Sequence, residues 1–239
     1  MKVKLKSGVE IDLMFGTDAE FFLVNSDNKV IPASKVIPGT KEKPHKLRNG
    51  VCHPDGLSLE VGCPPSDTPE GMVTNLFKVL REVHKKYLKD NGLTVLNKQG
   101  VSISKVEGAG HKDLEFGCGV EYQRTSSDMY KHRDMSATKN LRFSGFHIHL
   151  GYTTDQQDDY FSYLDACKLV AVLDRLTAKH DLNTGKKREL QYGGLGAFRI
   201  KPYGIEYRAM DCTVITNERK FKRLMKMLDE IPKCMEELG

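Results

Sequence analysis

Apolar residues recur along the chain in two rhythms. Alternation over residues 11–24, 57–63, 93–106, 142–152 and 197–215 predicts strands, whose successive side chains point to opposite faces. Spacing of three and four predicts three helices. The first is capped by Asp67 or Thr68, has Pro69 in its opening turn, carries Met72, Leu76, Leu80, Val83 and Tyr87, and stops at Asn91 and Gly92. The second is expected to begin near Thr154 and to carry Phe161, Leu164, Cys167, Ala171 and Leu176 on one face. The third starts at Asn217, aligns Phe221, Leu224, Met225 and Leu228, and is expected to break at Pro232. Residues 32–56 and 107–140 are rich in Gly, Pro, Ser, Lys and Asp and have neither rhythm, so they read as long loops. Few, unevenly placed helices among many strands predict an α+β fold with a mainly antiparallel sheet and helices packed on one side, in one domain spanning 1–239.

The polar exceptions inside the strands carry the chemistry. In FGTDAEFFLV, Asp18 and Glu20 share a face just ahead of a buried apolar run. Roughly 6.7 Å apart, two such charges repel by about 2 to 3 kcal/mol at an effective dielectric near 20. They therefore call for a cation, a proton or water. PDGLSLEVG sets Asp55 at a turn and Glu60 within Leu57, Leu59 and Val61. FSGFHIHLGY places His147 and His149 on one face, and YGIEYRAMD does the same for Glu206 and Arg208. Taken singly, each is as well explained by a satisfied histidine pair, an edge charge or a surface ion-pair strip. Four strands with the same anomaly point instead to one carboxylate-rich sheet face, whose oxygen donors and imidazole suit Mg²⁺ or Mn²⁺ better than zinc. More than one ion is expected.

Composition narrows the classes. A net charge of +5 is spread along the chain without a basic stripe interleaved with aromatics, so nucleic acid is disfavoured as a partner and an anionic small substrate fits. Six cysteines without a CxxC pair suggest reduced thiols, neither a zinc knuckle nor a disulfide scaffold. No stretch approaches the roughly 20 apolar residues of a membrane span. A soluble, cytoplasmic protein is expected.

The four quoted segments, in this order, together with Phe116-Gly117-Cys118 and the run Arg188, Tyr192, Gly193, Gly196 and Arg199, resemble the glutamine synthetase-like carboxylate-amine ligase superfamily. Within it the chain is most similar to the type 2 amidoligases of the phiEco32-like phage group, which would place it in a host cytoplasm. The resemblance implies a half-funnel sheet, ATP and Mg²⁺ or Mn²⁺ as cofactors, and a carboxylate and an amine, small or peptidic, as substrates. It implies Glu20 and Glu60 at one metal with Asp55 near it, and Asp18, His147 and Glu206 at another. His149, Arg199 and Arg208 would face the phosphates, with Arg142 a further candidate. The expected reaction is ADP-forming amide synthesis through an acyl phosphate. A metal-dependent hydrolase and a non-catalytic nucleotide- or metal-binding domain are the alternatives, but there is neither a helical HExxH nor a nucleophile elbow, and the arginines are intact.

Overall fold

The computed structural model describes residues 1–4, 6, 8, 10–115, 121–124, 126–130, 136–154 and 163–237. Ten strands form one open sheet. In chain order they are β1 (Lys2–Lys4), β2 (Glu10–Phe21), β3 (His45–Lys46), β4 (Val51–Asp55), β5 (Ser58–Gly62), β6 (Glu121–Gln123), β7 (Ser126–Tyr130), β8 (Phe146–Thr154), β9 (Ala197–Lys201) and β10 (Gly204–Met210). Their spatial order is β7-β6-β9-β10-β8-β2-β5-β4-β3, with β1 on β2, and every pairing is antiparallel. The α+β architecture expected from the sequence is the one observed.

Alternation sorts the two faces. Leu13, Phe15 and Ala19 of β2, Leu59 and Val61 of β5, Ile148 and Leu150 of β8, and Ile205 and Tyr207 of β10 are fully buried on one of them. Three helices cover that face: α1 (Pro69–Val83), α2 (Tyr163–Lys179) and α3 (Glu218–Glu236). Met72, Leu76 and Val79 of α1, Val170 and Leu173 of α2, and Leu224 and Leu228 of α3 join the same core. Each such side chain contributes about 1.5 to 3 kcal/mol on burial, so apolar residues claim the helix side and polar residues are left the other. Thr68 caps α1 by accepting from the Gly71 N–H, and Asn217 caps α3 by accepting from the Lys220 N–H. Among the described residues no helix is long and apolar enough to cross a membrane.

Several boundaries differ from expectation. Pro232 does not break α3, which runs on to Glu236. An interior proline costs a helix about 3 kcal/mol, but Ile231 and Met235 are both buried, and their burial outweighs that cost. Thr154 closes β8 and does not open a helix; α2 starts at Tyr163, and Phe161 lies outside the described residues, as does Phe116-Gly117-Cys118. Residues 93–106 yield only the short strands Thr94–Val95 and Gly100–Ser102, because polar Asn97, Lys98 and Gln99 interrupt the apolar rhythm. Within 32–56, read as loop, lies β4. Its Pro54 sits past the last residue that β3 pairs, where no outer strand needs its missing N–H.

The stretch 142–152 is also divided. Leu141–Phe143 pairs with Gly100–Ser102 in a separate small sheet, and β8 begins after Ser144 and Gly145. A side chain at Gly145 would collide with His147 Nε2 and come within 2.9 Å of the Tyr192 hydroxyl, so only glycine lets the chain turn there.

Candidate active site

The polar face gathers residues that are far apart in sequence. One cleft is lined by Asp18, Glu20, Lys41, Asp55, Glu60, His147, Arg199, Lys201, Glu206 and Arg208. Register explains the meeting: Glu20 pairs with Glu60 across β2 and β5, Asp18 with His147 across β2 and β8, and Arg199 with Glu206 across β9 and β10. A neighbouring cleft shares Glu20 and Asp55 and is bounded by Phe22, Arg142, Phe143, Gln191 and Tyr192.

At one end stand three carboxylates. Oxygens of Glu20, Asp55 and Glu60 all lie within 4.8 Å of one another. Burial, with Asp55 beside it, raises the Glu20 carboxyl above its usual range, and burial together with Glu20, Asp18 and Asp55 raises Glu60 well above it. The Lys41 ammonium, 3.1 Å from Asp55 Oδ2, offsets part of this charge. His53, buried next to Asp55 on β4, approaches Glu60 at 4.0 Å. Glu20 is held rigidly: its Oε2 accepts from the Gly145 N–H at 2.6 Å and from the Tyr192 O–H at 2.7 Å.

At the other end the charges are matched. Buried Glu206 contacts Arg208, Arg199 at 3.2 Å, Lys201 at 2.7 Å and His147 Nδ1 at 3.5 Å. Burial opposes its ionisation, but the Arg208 and Arg199 guanidiniums and the Lys201 ammonium prevail and hold its carboxyl far below the ordinary range. His147 itself is kept neutral by burial and by the Arg208 guanidinium, and its Nε2, 3.9 Å from Glu20, has no hydrogen-bond partner among the described residues. Arg208 is fixed from behind by Glu121 at 3.0 Å, whose other oxygen accepts from the Gly193 N–H.

Two predicted residues stand elsewhere. His149 flanks the cleft, its Nε2 3.1 Å from Asp18 and its Nδ1 2.5 Å from the hydroxyl of Tyr203, on which it stacks. Asp18, opposite His147 in register, thus turns its carboxylate toward His149. Arg142 lines the neighbouring cleft, tied to the carbonyls of Leu114, Lys139 and Leu141. Sequence reasoning missed Lys201, which alternation from Arg199 puts on the same face, and His53, which alternation from Asp55 would have supplied had β4 been read as a strand. Lys41 had no such signal. Arg188, fully buried, donates to the Ser144 carbonyl and lies 4.3 Å over the Tyr192 ring.

Much of this machinery lies in the chain's later half, where comparison with known proteins is informative. Residues 136–227 match the family model of the phage phiEco32-like COOH.NH2 ligase, type 2. That span carries β8, β9 and β10, and with them His147, His149, Arg199, Glu206 and Arg208. The match bears out the resemblance over that span. No curated protein matches the chain. Among solved structures the chain is similar to a crystal structure of a novel glutamine synthase homolog, at 12% identity and a TM-score of 0.41. The alignment covers 96% of this chain and 57% of that one, so the chain spans little more than half that relative's length.

Proposed function

We propose that the chain is the catalytic unit of an ATP- and divalent-metal-dependent ligase that joins a carboxylate to an amine through an acyl phosphate. The observation that carries this reading is the separation of charge along one cleft, with Glu20, Asp55 and Glu60 on the strands to one side of β8 and Arg199, Lys201 and Arg208 on the strands to the other. A carboxylate is a poor electrophile because its leaving group would be oxide. Transfer of the γ-phosphoryl group of ATP to it releases ADP and leaves an acyl phosphate; the amine then displaces phosphate, loses a proton and forms the amide. Such a transfer asks the protein for positioning and charge neutralisation more than for covalent help.

The donor set fits a hard cation. Three clustered carboxylates, two of them raised by burial and mutual repulsion, and the unpartnered His147 Nε2 beside them await positive charge. Mg²⁺ or Mn²⁺ bound by Glu20, Glu60 and Asp55 would neutralise phosphate oxygens there. Arg199, Arg208 and Lys201 hold the phosphates from the opposite end, with His149 flanking. In this arrangement Glu206 keeps those cations gathered, so a second ion at Asp18, His147 and Glu206 requires them to turn from Glu206 to phosphate as nucleotide enters. The neighbouring cleft, with Arg142, receives the carboxylate and the amine. Glu121 positions Arg208, accepting from its Nε–H and from the Gly193 N–H.

Hydroxylamine offered with ATP, Mg²⁺ and a panel of carboxylates tests the reading. Hydroxamate, ADP and phosphate should appear in equal amounts, and Arg199→Lys should slow all three because an ammonium cannot reproduce a bidentate grip. AMP and pyrophosphate in place of ADP would overturn the acyl-phosphate route.

A further inference from the structure

We propose that Tyr192 is the residue that makes this site discriminate Mg²⁺ and Mn²⁺ from Ca²⁺; the inference rests on the metal reading of Glu20, Asp55 and Glu60 given above. A carboxylate oxygen has two in-plane lone pairs. Both of those on Glu20 Oε2 are spoken for, one by the Gly145 N–H at 2.6 Å and one by the Tyr192 O–H at 2.7 Å. Oε1 accepts no hydrogen bond among the described residues and lies 3.9 Å from His147 Nε2, and Glu20 lines the cleft together with Asp55 and Glu60. Glu20 can therefore offer a cation one oxygen, not two.

That restriction matters because the ions differ in what they demand. Ca²⁺ takes six to eight oxygens and commonly draws a bidentate carboxylate, whereas Mg²⁺ insists on six at short range and is content with single carboxylate oxygens and water. A glutamate locked to one-oxygen ligation removes a donor that Ca²⁺ would use and Mg²⁺ would not. The lock is stiff. The Tyr192 ring is buried, with the Arg188 guanidinium 4.3 Å and the Arg208 guanidinium 5.4 Å from its centre. Its hydroxyl is thereby aimed at Oε2 by packing on carbons that Tyr192→Phe would leave in place.

The test compares metal-induced thermal shifts and calorimetric affinities for Mg²⁺, Mn²⁺ and Ca²⁺, each with a non-hydrolysable ATP analogue, in wild type and Tyr192→Phe. In wild type, Ca²⁺ should bind more weakly than Mg²⁺ or Mn²⁺. In Tyr192→Phe, Mg²⁺ affinity should fall by roughly tenfold, as loss of an outer hydrogen-bond partner does, while Ca²⁺ affinity holds or rises, so that the ratio closes or inverts. Two results overturn the inference alone: Ca²⁺ binding wild type as tightly as Mg²⁺, which needs no variant, or a variant that loses all three ions in equal proportion. Absence of any metal-dependent shift in wild type overturns the metal reading itself and the inference with it.

Discussion

The two ends of the cleft solve the same electrostatic problem in opposite ways. At the β2–β5–β4 end, Glu20, Asp55 and Glu60 crowd together with one lysine among them, and burial raises Glu20 and Glu60. At the β9–β10 end, one carboxylate, Glu206, is surrounded by Arg208, Arg199 and Lys201 and is held strongly acidic. The first end is left short of positive charge, which an incoming ion can supply. The second is balanced within the chain, and Glu206 gathers its guanidiniums. Function is read from the unfinished end, rigidity from the finished one.

Removing a charge should therefore have opposite consequences at the two ends. Glu206→Gln takes one partner from a buried ion cluster and leaves Arg208 dependent on Glu121; such losses cost about 3 kcal/mol or more, or a fall in melting temperature of roughly 10 °C for a chain of this size. Calorimetry with chelator present would measure it, and a variant as stable as wild type would remove the distinction between the ends.

Glu60→Gln should leave metal-free stability unchanged or slightly higher while abolishing the Mg²⁺-dependent shift. Its pH signature has a definite sign. Glu60 and Glu20 have folded pKa values above their unfolded value of about 4.3, so their favourable contribution is complete below that pH and is lost as pH rises through the raised folded values. Chelated wild type should weaken over that climb, and Glu60→Gln should weaken less. Equal slopes for the two proteins would mean that the cluster is not repulsive.

A half-buried carboxylate outside the cleft calibrates the scale and should give the smallest effect. Glu82 accepts from Lys86 and from the Arg48 and Asn49 N–H groups, and its pKa is pulled down to about 2, chiefly by the Lys86 hydrogen bond. Its contribution is present above the ordinary carboxylate range and disappears as pH falls toward about 2. Glu82→Gln should lower the melting temperature slightly at pH 7 and not at all near pH 2, where denaturation curves of the two proteins should coincide.

The matched and unmatched ends were unequally legible in the sequence. Strand alternation put Asp18, Glu20, Glu60, His147, Glu206 and Arg208 on one face, and pairing register brought them together. Alternation says nothing of which partner a side chain turns to, however. Hence Asp18 meets His149, and Arg142 is drawn to main-chain carbonyls in the adjoining cleft. Lys41 and Tyr192 arrive from irregular segments whose path is set by tertiary contacts. Alternation could not have located them. Long elements were read correctly where the apolar rhythm was strong, as in α1, and misjudged where one residue's local preference was outvoted by burial, as at Pro232 in α3.

Pro54 has a consequence beyond its tolerance in β4. Past Cys52 this strand pairs with no outer strand among the described residues, and such margins are where foreign strands add to a sheet. A proline there presents no N–H to an approaching backbone. The hairpin that carries Asp55 and Glu60 is thus guarded against fibre-like stacking on its open side, and the acidic cluster can stay accessible to solvent without making the protein self-adhesive.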